Sequence, residues 1–512
     1  MNANSIAVLA AFACYLLLMI WIGWRYMKKT SNSEDYFLGG RNLNGWVAAM
    51  SAQASDMSSW LLMGLPGAIY AFGTGQIWIA VGLLIGTIAN WIFVSKRLYN
   101  YTVQIDALTI PEYYEKRFND KKRIILLLSS IIIAFFFLIY TSSALTSGGK
   151  LFTSVFGLDY HTALLIGAAV ILIYTFMGGF NAVCVTDLIQ GSMMFICILA
   201  VPIVAWFVIG GSDNLLMGIE ASAPAGGAAA FLNPMVSGGK PVTFIDIISQ
   251  LAWGLGYFGM PHILVRFMAI KDHKELNKSR IIAIVWVIVS LGLACAVGVL
   301  GRAYLFPDVL GVTTQISYEN VFIEMIIRIF TGNPIVAFIG GLFLCGILAA
   351  IMSTADSQLL VTASAISSDF YKNTLNPKAS DEKVLAVSRI SVVAVAVIAM
   401  IIAWDPNNSI MDLVSDAWAG LGSAFGPLTL LSLYWKRTNL SGAVAGIVSG
   451  GAFVIFWDYI PLIKGQTLGA ATGIYSLLIG FFFSALCIVL VSLMTKAPDA
   501  KMVQDFEEAA NK

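Results

Sequence analysis

The chain has 512 residues, of which 58% are hydrophobic and only 12% charged, with a mean hydropathy of +0.82. A soluble domain carries about 25% charged residues, so the composition excludes a large soluble domain and predicts an all-α polytopic membrane protein. The net charge of +1, spread without a basic cluster, gives no ground for a nucleic-acid partner, and nothing calls for an obligate protein partner.

Thirteen apolar segments are predicted as transmembrane helices: 6–26, 46–72, 77–94, 124–146, 161–177, 183–209, 244–268, 281–300, 335–366, 384–403, 410–435, 443–460 and 471–493. The residues before the first lack a basic region and a cleavage signal, so that segment reads as a retained span. With the amino terminus outside and the carboxyl terminus inside, every Lys and Arg falls inside except Lys150, Lys240, Arg302, Arg328 and Lys464, which fits positive-inside topology. Cys14, Cys184, Cys197, Cys295, Cys345 and Cys487 all lie in apolar runs without a C-x-x-C pair, so they read as small hydrophobes.

The second segment contains Ala54-Ser55-Asp56-Met57-Ser58-Ser59-Trp60, with Gly64, Pro66 and Gly67 just after it. An ionised Asp at the centre of a span costs about 2.5–3.5 kcal/mol and marks a functional site by default. Loosened helix at membrane depth is tolerated where protein or a water-filled cavity satisfies the freed backbone. This stretch is therefore predicted to wall a polar site. The seventh segment contains Trp253-Gly254-Leu255-Gly256-Tyr257-Phe258-Gly259-Met260-Pro261. Three glycines and a proline weaken the helix ladder there. The spacing Gly254-x-Gly256-x-x-Gly259 imitates a dinucleotide fingerprint, but that motif needs a preceding strand and a βαβ unit.

An offset of five gives the two interrupted segments opposite orientations, as in transporters built from inverted repeats, where broken helices of the two halves form the site at midplane. The predicted organisation is a five-plus-five inverted-repeat core. Residues 1–35 hold a peripheral first helix, 36–211 the first repeat and 212–437 the second. Residues 438–495 hold two peripheral helices, and 496–512 form a cytoplasmic tail.

Sodium is a hard cation that takes oxygen ligands. Unwound carbonyls near Ala54 and Met57 can supply some. In the ninth segment Ala350, Ser353, Thr354 and Ser357 fall at i, i+3, i+4 and i+7 on one face. Asp187 and Asp356 lie at matching depths, and with Ser353 and Ser357 they are a candidate second cation site. Trp60, Trp253, Tyr257 and Tyr140 are candidate solute contacts, since aromatic faces suit an apolar ring or an alkylammonium. A helix amino end at a break suits a carboxylate, so the expected solute is a small zwitterion. Gly148-Gly149-Lys150 is followed by Leu151 rather than Ser or Thr, so no Walker motif is present, and His161, His262 and His273 are too scattered for a metal centre. ATP-driven transport and metalloenzyme chemistry lack their machinery, and the chain is not expected to be an enzyme. A sensor would need a signalling domain, for which the tail is too short.

These stretches, with Pro261-His262-Ile263-Leu264, Ala349-Ala350-x-Met352-Ser353-Thr354, Gln358-Leu359-Leu360, Gly178-Gly179-Phe180 and Trp418-Ala419-Gly420, resemble the sodium/solute symporter family, most closely its bacterial proline-transporting branch. The similarity spans nearly the whole chain. It implies sodium-coupled import of L-proline by alternating access, with another amino acid or a carboxylate as the alternative solute. It implies that sodium is held by the Ala54, Met57 and Ala350 carbonyls and the Ser353 and Thr354 hydroxyls, and that Asp56 is essential. It implies that Trp60, Tyr140, Trp253, Tyr257 and Pro261 surround the solute. Ser59 stands where many members have glycine, and so is expected to narrow the pocket or add a hydrogen bond. Asp356 stands where some members have serine, which bears on a second ion.

Overall fold

The computed structural model describes residues 2–27, 38–177, 179–222, 225–306, 318–463 and 465–511. The domain boundary expected at 35/36, the glycine of the 178–180 stretch and four of the counted lysines (Lys28, Lys29, Lys464, Lys512) lie outside them.

In chain order the helices are α1 (Ala3–Met27), α2 (Gly45–Ser59), α3 (Leu65–Phe72), α4 (Ile77–Ala89), α5 (Ser95–Gln104), α6 (Ile110–Arg117), α7 (Ile124–Phe156), α8 (Tyr160–Met177), α9 (Phe180–Ile209), α10 (Ser212–Ala221) and α11 (Gly227–Phe231). Then come α12 (Phe244–Leu251), α13 (Pro261–Met268), α14 (His273–Leu305), α15 (Val321–Ile329), α16 (Pro334–Ser364), α17 (Asp381–Ile402), α18 (Ile410–Tyr434), α19 (Leu440–Tyr459), α20 (Leu468–Thr472), α21 (Ser476–Met494) and α22 (Ala500–Asn511). Among the described residues, strands are limited to two small antiparallel hairpins, β1 (Val236–Ser237) with β2 (Lys240–Pro241) and β3 (Pro461–Ile463) with β4 (Gln466–Thr467). The glycine spacing in 254–259 therefore has no βαβ unit around it.

Among the described residues, nine helices are long and apolar enough to cross a membrane. The four other predicted segments have identifiable reasons to fall short. Residues 46–72 and 244–268 are each broken in the middle, α8 has a shorter apolar run, and α18 is diluted by Gly420, Gly422, Ser423, Gly426, Pro427 and Thr429. Several helices outrun their predicted ends. α4 continues through a π-helical turn, Asn90–Val94, into α5, and α16 continues through another, Ala365–Leu375.

Both interruptions fall where glycine, proline and hydroxyl side chains cluster. In α2, Ser58 adopts φ 45° and ψ −171°, a conformation that costs a non-glycine residue about 1–3 kcal/mol. Its own hydroxyl accepts the Trp60 N–H at 3.0 Å, so the side chain replaces part of the lost ladder. A π-helical turn, Trp60–Gly64, follows, and Pro66 sits in the first turn of α3, where a missing N–H costs nothing. In the second interruption, Ala252–Gly259 winds as a tight 3-10 helix, Met260 is extended, and Pro261 opens α13. The glycines there serve packing as well. The backbone of Gly254 lies on Gly82 and Gly86 of α4, and Gly256 faces the indole of Trp418 so closely that a methyl group could not fit.

The core forms around these two interruptions. α2 packs against α9, α13, α14 and α16, and residues 252–259 lie between α4 and α18. α7 packs on α16 and α18, α1 lies along α16, and α19 and α21 pair with each other against α18. At one end of the bundle the chain before α2 meets the chain after α13. Leu43 N–H donates to Ala269 O and Lys271 N–H to Leu43 O, both at 3.1 Å. Arg41 donates beside them to Met268 O at 2.9 Å and Ala107 O at 2.6 Å.

The charged tail folds as a helix held to the bundle. Met502, Phe506 and Ala509 make a buried stripe on α22, which packs on α5. Arg117, Lys150, Arg266 and Arg302, which entered the charge count that set the orientation, are all buried.

Candidate solute and cation site

Asp56 lies one turn before the break in α2 and is buried. Its carboxylate Oδ2 accepts the phenolic hydrogen of Tyr257 at 2.7 Å. Tyr257 belongs to the 3-10 stretch, so this bond joins the two interrupted segments directly. Tyr140 of α7 reaches the Asp56 carbonyl at 3.5 Å. Trp60 and Trp253 stand side by side, with ring centroids 5.7 Å apart. Trp253 stacks on Tyr475 at 5.2 Å.

These groups line one cavity. Asp56, Trp60, Tyr140, Trp253 and Tyr257 form its wall with Met57, Leu83, Val414 and Trp418. The space between these walls is small, with room for about one water. The pocket is contracted, and a solute enters it only if the walls part. Its chemistry is a carboxylate at one side, a tyrosine hydroxyl beside it and flat aromatic faces, which suits an ammonium group joined to a small apolar ring.

One turn earlier on α2 is an all-oxygen cluster. Ser353 Oγ donates to the Ala54 carbonyl at 2.8 Å and approaches the Ala350 carbonyl at 3.3 Å. Thr354 Oγ1 reaches the same Ala54 carbonyl at 3.4 Å. The Met57 carbonyl, one turn on, accepts the Trp60 N–H. Carbonyls and hydroxyls together, buried and without nitrogen or sulfur, are the donor set a hard cation prefers. These residues fit sodium, the hydroxyls turning from donors into ligands.

Two expected solute residues stand elsewhere. Ser59 Oγ is 2.6 Å from Ser147 Oγ of α7, a helix-to-helix contact outside the pocket wall. Pro261 lines a different cavity, below the extended Met260. Pro261 opens α13 and is not part of the aromatic pocket's wall. Conversely, Leu83, Val414 and Trp418 were missed as wall residues. Trp418 donates its indole N–H to the Trp253 carbonyl at 2.7 Å. Its Trp-Ala-Gly stretch was a visible signal, though nothing in the spacing aimed it at Trp253.

The second cation cluster assembles around a different charge. Asp187 and Ser357 come together, but Arg266 lies between them. Arg266 Nη2 is 3.2 Å from Asp187 Oδ2 and 2.6 Å from Ser357 Oγ, and its Nε donates to Ser51 Oγ at 3.0 Å. Ser51 in turn donates to Asp187 Oδ2 at 2.6 Å, and Ser357 donates to Asp356 Oδ1 at 3.3 Å. A buried guanidinium thus sits among the residues of the expected second cation site.

The family model for the sodium:solute symporter family matches residues 36–450. The chain is 44% identical over 496 residues to the osmoregulated proline transporter OpuE of Bacillus subtilis (strain 168), covering 96% of each protein. It is 42% identical over 510 residues to the sodium/proline symporter of Escherichia coli (strain K12), covering 99% of this chain and 97% of that one. Among solved structures, a Na+-coupled sialic acid symporter in a substrate-bound outward-open state matches with a TM-score of 0.76 at 20% identity, over 98% of this chain and 99% of that one. That likeness establishes the fold.

Proposed function

The chain belongs to the sodium:solute symporter family, and from that premise we propose that it imports L-proline with sodium across a bacterial cytoplasmic membrane by alternating access. The observation that carries this reading is the shared segment Ala54–Trp60. Ala54 enters the all-oxygen cluster, while Asp56 and Trp60 wall the aromatic pocket. An ion that draws in the Ala54 carbonyl fixes the backbone that aims Asp56, so each ligand stabilises the arrangement the other needs. The names of the full-length relatives support proline as the solute.

In this reading sodium is held by the Ala54, Met57 and Ala350 carbonyls and the Ser353 and Thr354 hydroxyls. Proline's ammonium meets Asp56 and Tyr257, and its ring meets Trp60, Trp253, Tyr140 and Trp418. Arg266 takes the place of a second ion beside Asp187, Asp356 and Ser357, so one sodium moves per proline. The frame is thirteen spans. Helices two to six (36–211) and seven to eleven (212–437) form inverted repeats, residues 1–35 and 438–495 are peripheral, and 496–512 are cytoplasmic. The amino terminus is outside. The nine long apolar helices among the described residues and the two interrupted segments support that frame.

The test is uptake of labelled proline into proteoliposomes under an inward sodium gradient, with other amino acids and carboxylates as competitors. Uptake that collapses with a sodium ionophore is expected. Proline uptake indifferent to sodium overturns the reading. Coupling is also reciprocal by necessity: the factor by which sodium tightens proline binding must equal the factor by which proline tightens sodium binding.

A further inference from the structure

A second buried cavity has no part in the site above. It is a small space between α13, α16 and the start of α6, walled mostly by apolar side chains such as Pro261, Val265 and Leu360, with Thr109, Ser364 and Asp369 as its polar members. It shares no residue with the aromatic pocket. Asp369 is only 1% exposed and Ser364 7%. Thr109 Oγ1 donates to Asp369 Oδ1 at 3.0 Å. Asp369 Oδ2 and Ser364 Oγ have no hydrogen-bond partner among the described residues. The neighbouring carboxylates Glu112 and Glu115 are already matched, by Lys116 at 2.8 Å and Arg123 at 3.2 Å. No ion pair among the described residues answers Asp369. A buried carboxylate with no positive partner is costly unless a cation or a proton joins it.

The position of the cavity is equally informative. Ser364 and Asp369 continue the helix that carries Ser353 and Thr354, about 15 and 22 Å further along at 1.5 Å per residue. The intervening backbone opens into the π-helical stretch Ala365–Leu375, a geometry frequent at functional sites. The opposite wall comes from α13, which begins four residues after Tyr257. The cavity thus lies further along the same helix as the oxygen cluster, beyond the buried Arg266–Asp187–Ser357 group, and its three polar wall residues, Thr109, Ser364 and Asp369, interrupt an otherwise apolar lining.

We propose that this cavity is a transit site for a monovalent cation, where sodium leaving the Ala54–Ser353–Thr354 cluster is held by Asp369, Ser364 and Thr109 before release inside. This rests on the sodium-coupled reading above. A zwitterion fits less well, because its own carboxylate would face Asp369 with no cation to receive it. A bare ion or one with a few waters meets three protein oxygens of the right kind.

Right-side-out membrane vesicles holding the full-length protein test it. Labelled proline uptake is titrated separately with external and internal sodium. Asp369→Asn is expected to raise the internal sodium that half-inhibits uptake by about tenfold, the scale of a lost charge-assisted contact, and to leave the external half-saturating sodium unchanged. An internal curve that coincides with wild type overturns the proposal and leaves Asp369 simply protonated. Equal shifts of both curves also overturn it, because the residue then acts on the outer cluster. If Asp369→Asn does not transport, the internal titration of Ser364→Ala and Thr109→Val decides in the same way, a shift supporting the site and coincidence overturning it. Wild-type protein without sodium-dependent uptake would defeat the symport reading instead, a separate outcome.

Discussion

Tyr257 donates its phenolic hydrogen to Asp56 across 2.7 Å, linking the two broken segments at the solute pocket. A hydrogen bond to a charged group contributes about 1.5–3 kcal/mol, or about 10- to 100-fold in affinity. Tyr257→Phe is therefore expected to weaken proline binding by at least about tenfold. Asp56→Asn should remove sodium-stimulated binding altogether. Equilibrium binding of labelled proline to purified protein, with and without sodium, reads both. Wild-type affinity in Tyr257→Phe would mean that the bond opens before solute arrives.

Ser353 and Thr354 both turn their hydroxyls on the Ala54 carbonyl. Ser353→Ala and Thr354→Ala should each raise the half-saturating sodium for uptake by about tenfold, the scale of one lost ligand to a charged group. The double variant should lose sodium dependence. Maximal proline affinity at saturating sodium should survive in the single variants, which separates an ion ligand from a wall residue.

Gly256 leaves no room for a side chain beside Trp418. Gly256→Ala is expected to push that indole away from the Trp253 carbonyl and to weaken proline binding several-fold, overpacking typically costing about 1–3 kcal/mol. Sodium binding measured alone should stay near wild type. A matching loss for sodium would show that the displacement spreads to α2.

Arg266 and Asp187 form a fully buried pair. Breaking such a pair from one side costs about 3–5 kcal/mol, because the remaining charge is stranded. Arg266→Met and Asp187→Asn should each lower the thermal midpoint of the detergent-solubilised protein, and the double variant should regain much of the loss. Wild-type uptake should depend on sodium with a Hill coefficient of about one, since positive charge at this cluster is already built in. Asp356→Ala should leave that coefficient unchanged. A wild-type value clearly above one, reduced in Asp356→Ala, would restore an ion to the cluster.

Much of this arrangement was legible from residue chemistry. Glycine and proline announced both interruptions, joined in the first by Asp56 and its neighbouring serines, because glycine and proline weaken a helix ladder in a local and recognisable way. The i, i+3, i+4 spacing of Ala350, Ser353 and Thr354 placed their oxygens on one face. What stayed hidden depended on partners far apart in sequence. Arg266 was counted with the charges at the inner side, yet it is buried against Asp187, 79 positions away. Lys150 read as an outside charge, yet it pairs with buried Glu319 at 2.5 Å. Ser59 and Pro261 adjoin the breaks in sequence, but helix rotation sends one to Ser147 and the other to the lower cavity. Trp418 lies more than 150 positions from the glycine that makes room for it, so no local pattern could join them.

The junction of Leu43 with Ile270 ties the chain before α2 to the chain after α13 through main-chain atoms. It is held by two backbone hydrogen bonds and by Arg41, which donates to the carbonyls of Met268, Thr102 and Ala107. The two ladder bonds use no side chain, so any replacement of Leu43 or Lys271 other than proline leaves them in place, and Arg41 is the side chain whose loss would unfasten carbonyls of three separate segments at once.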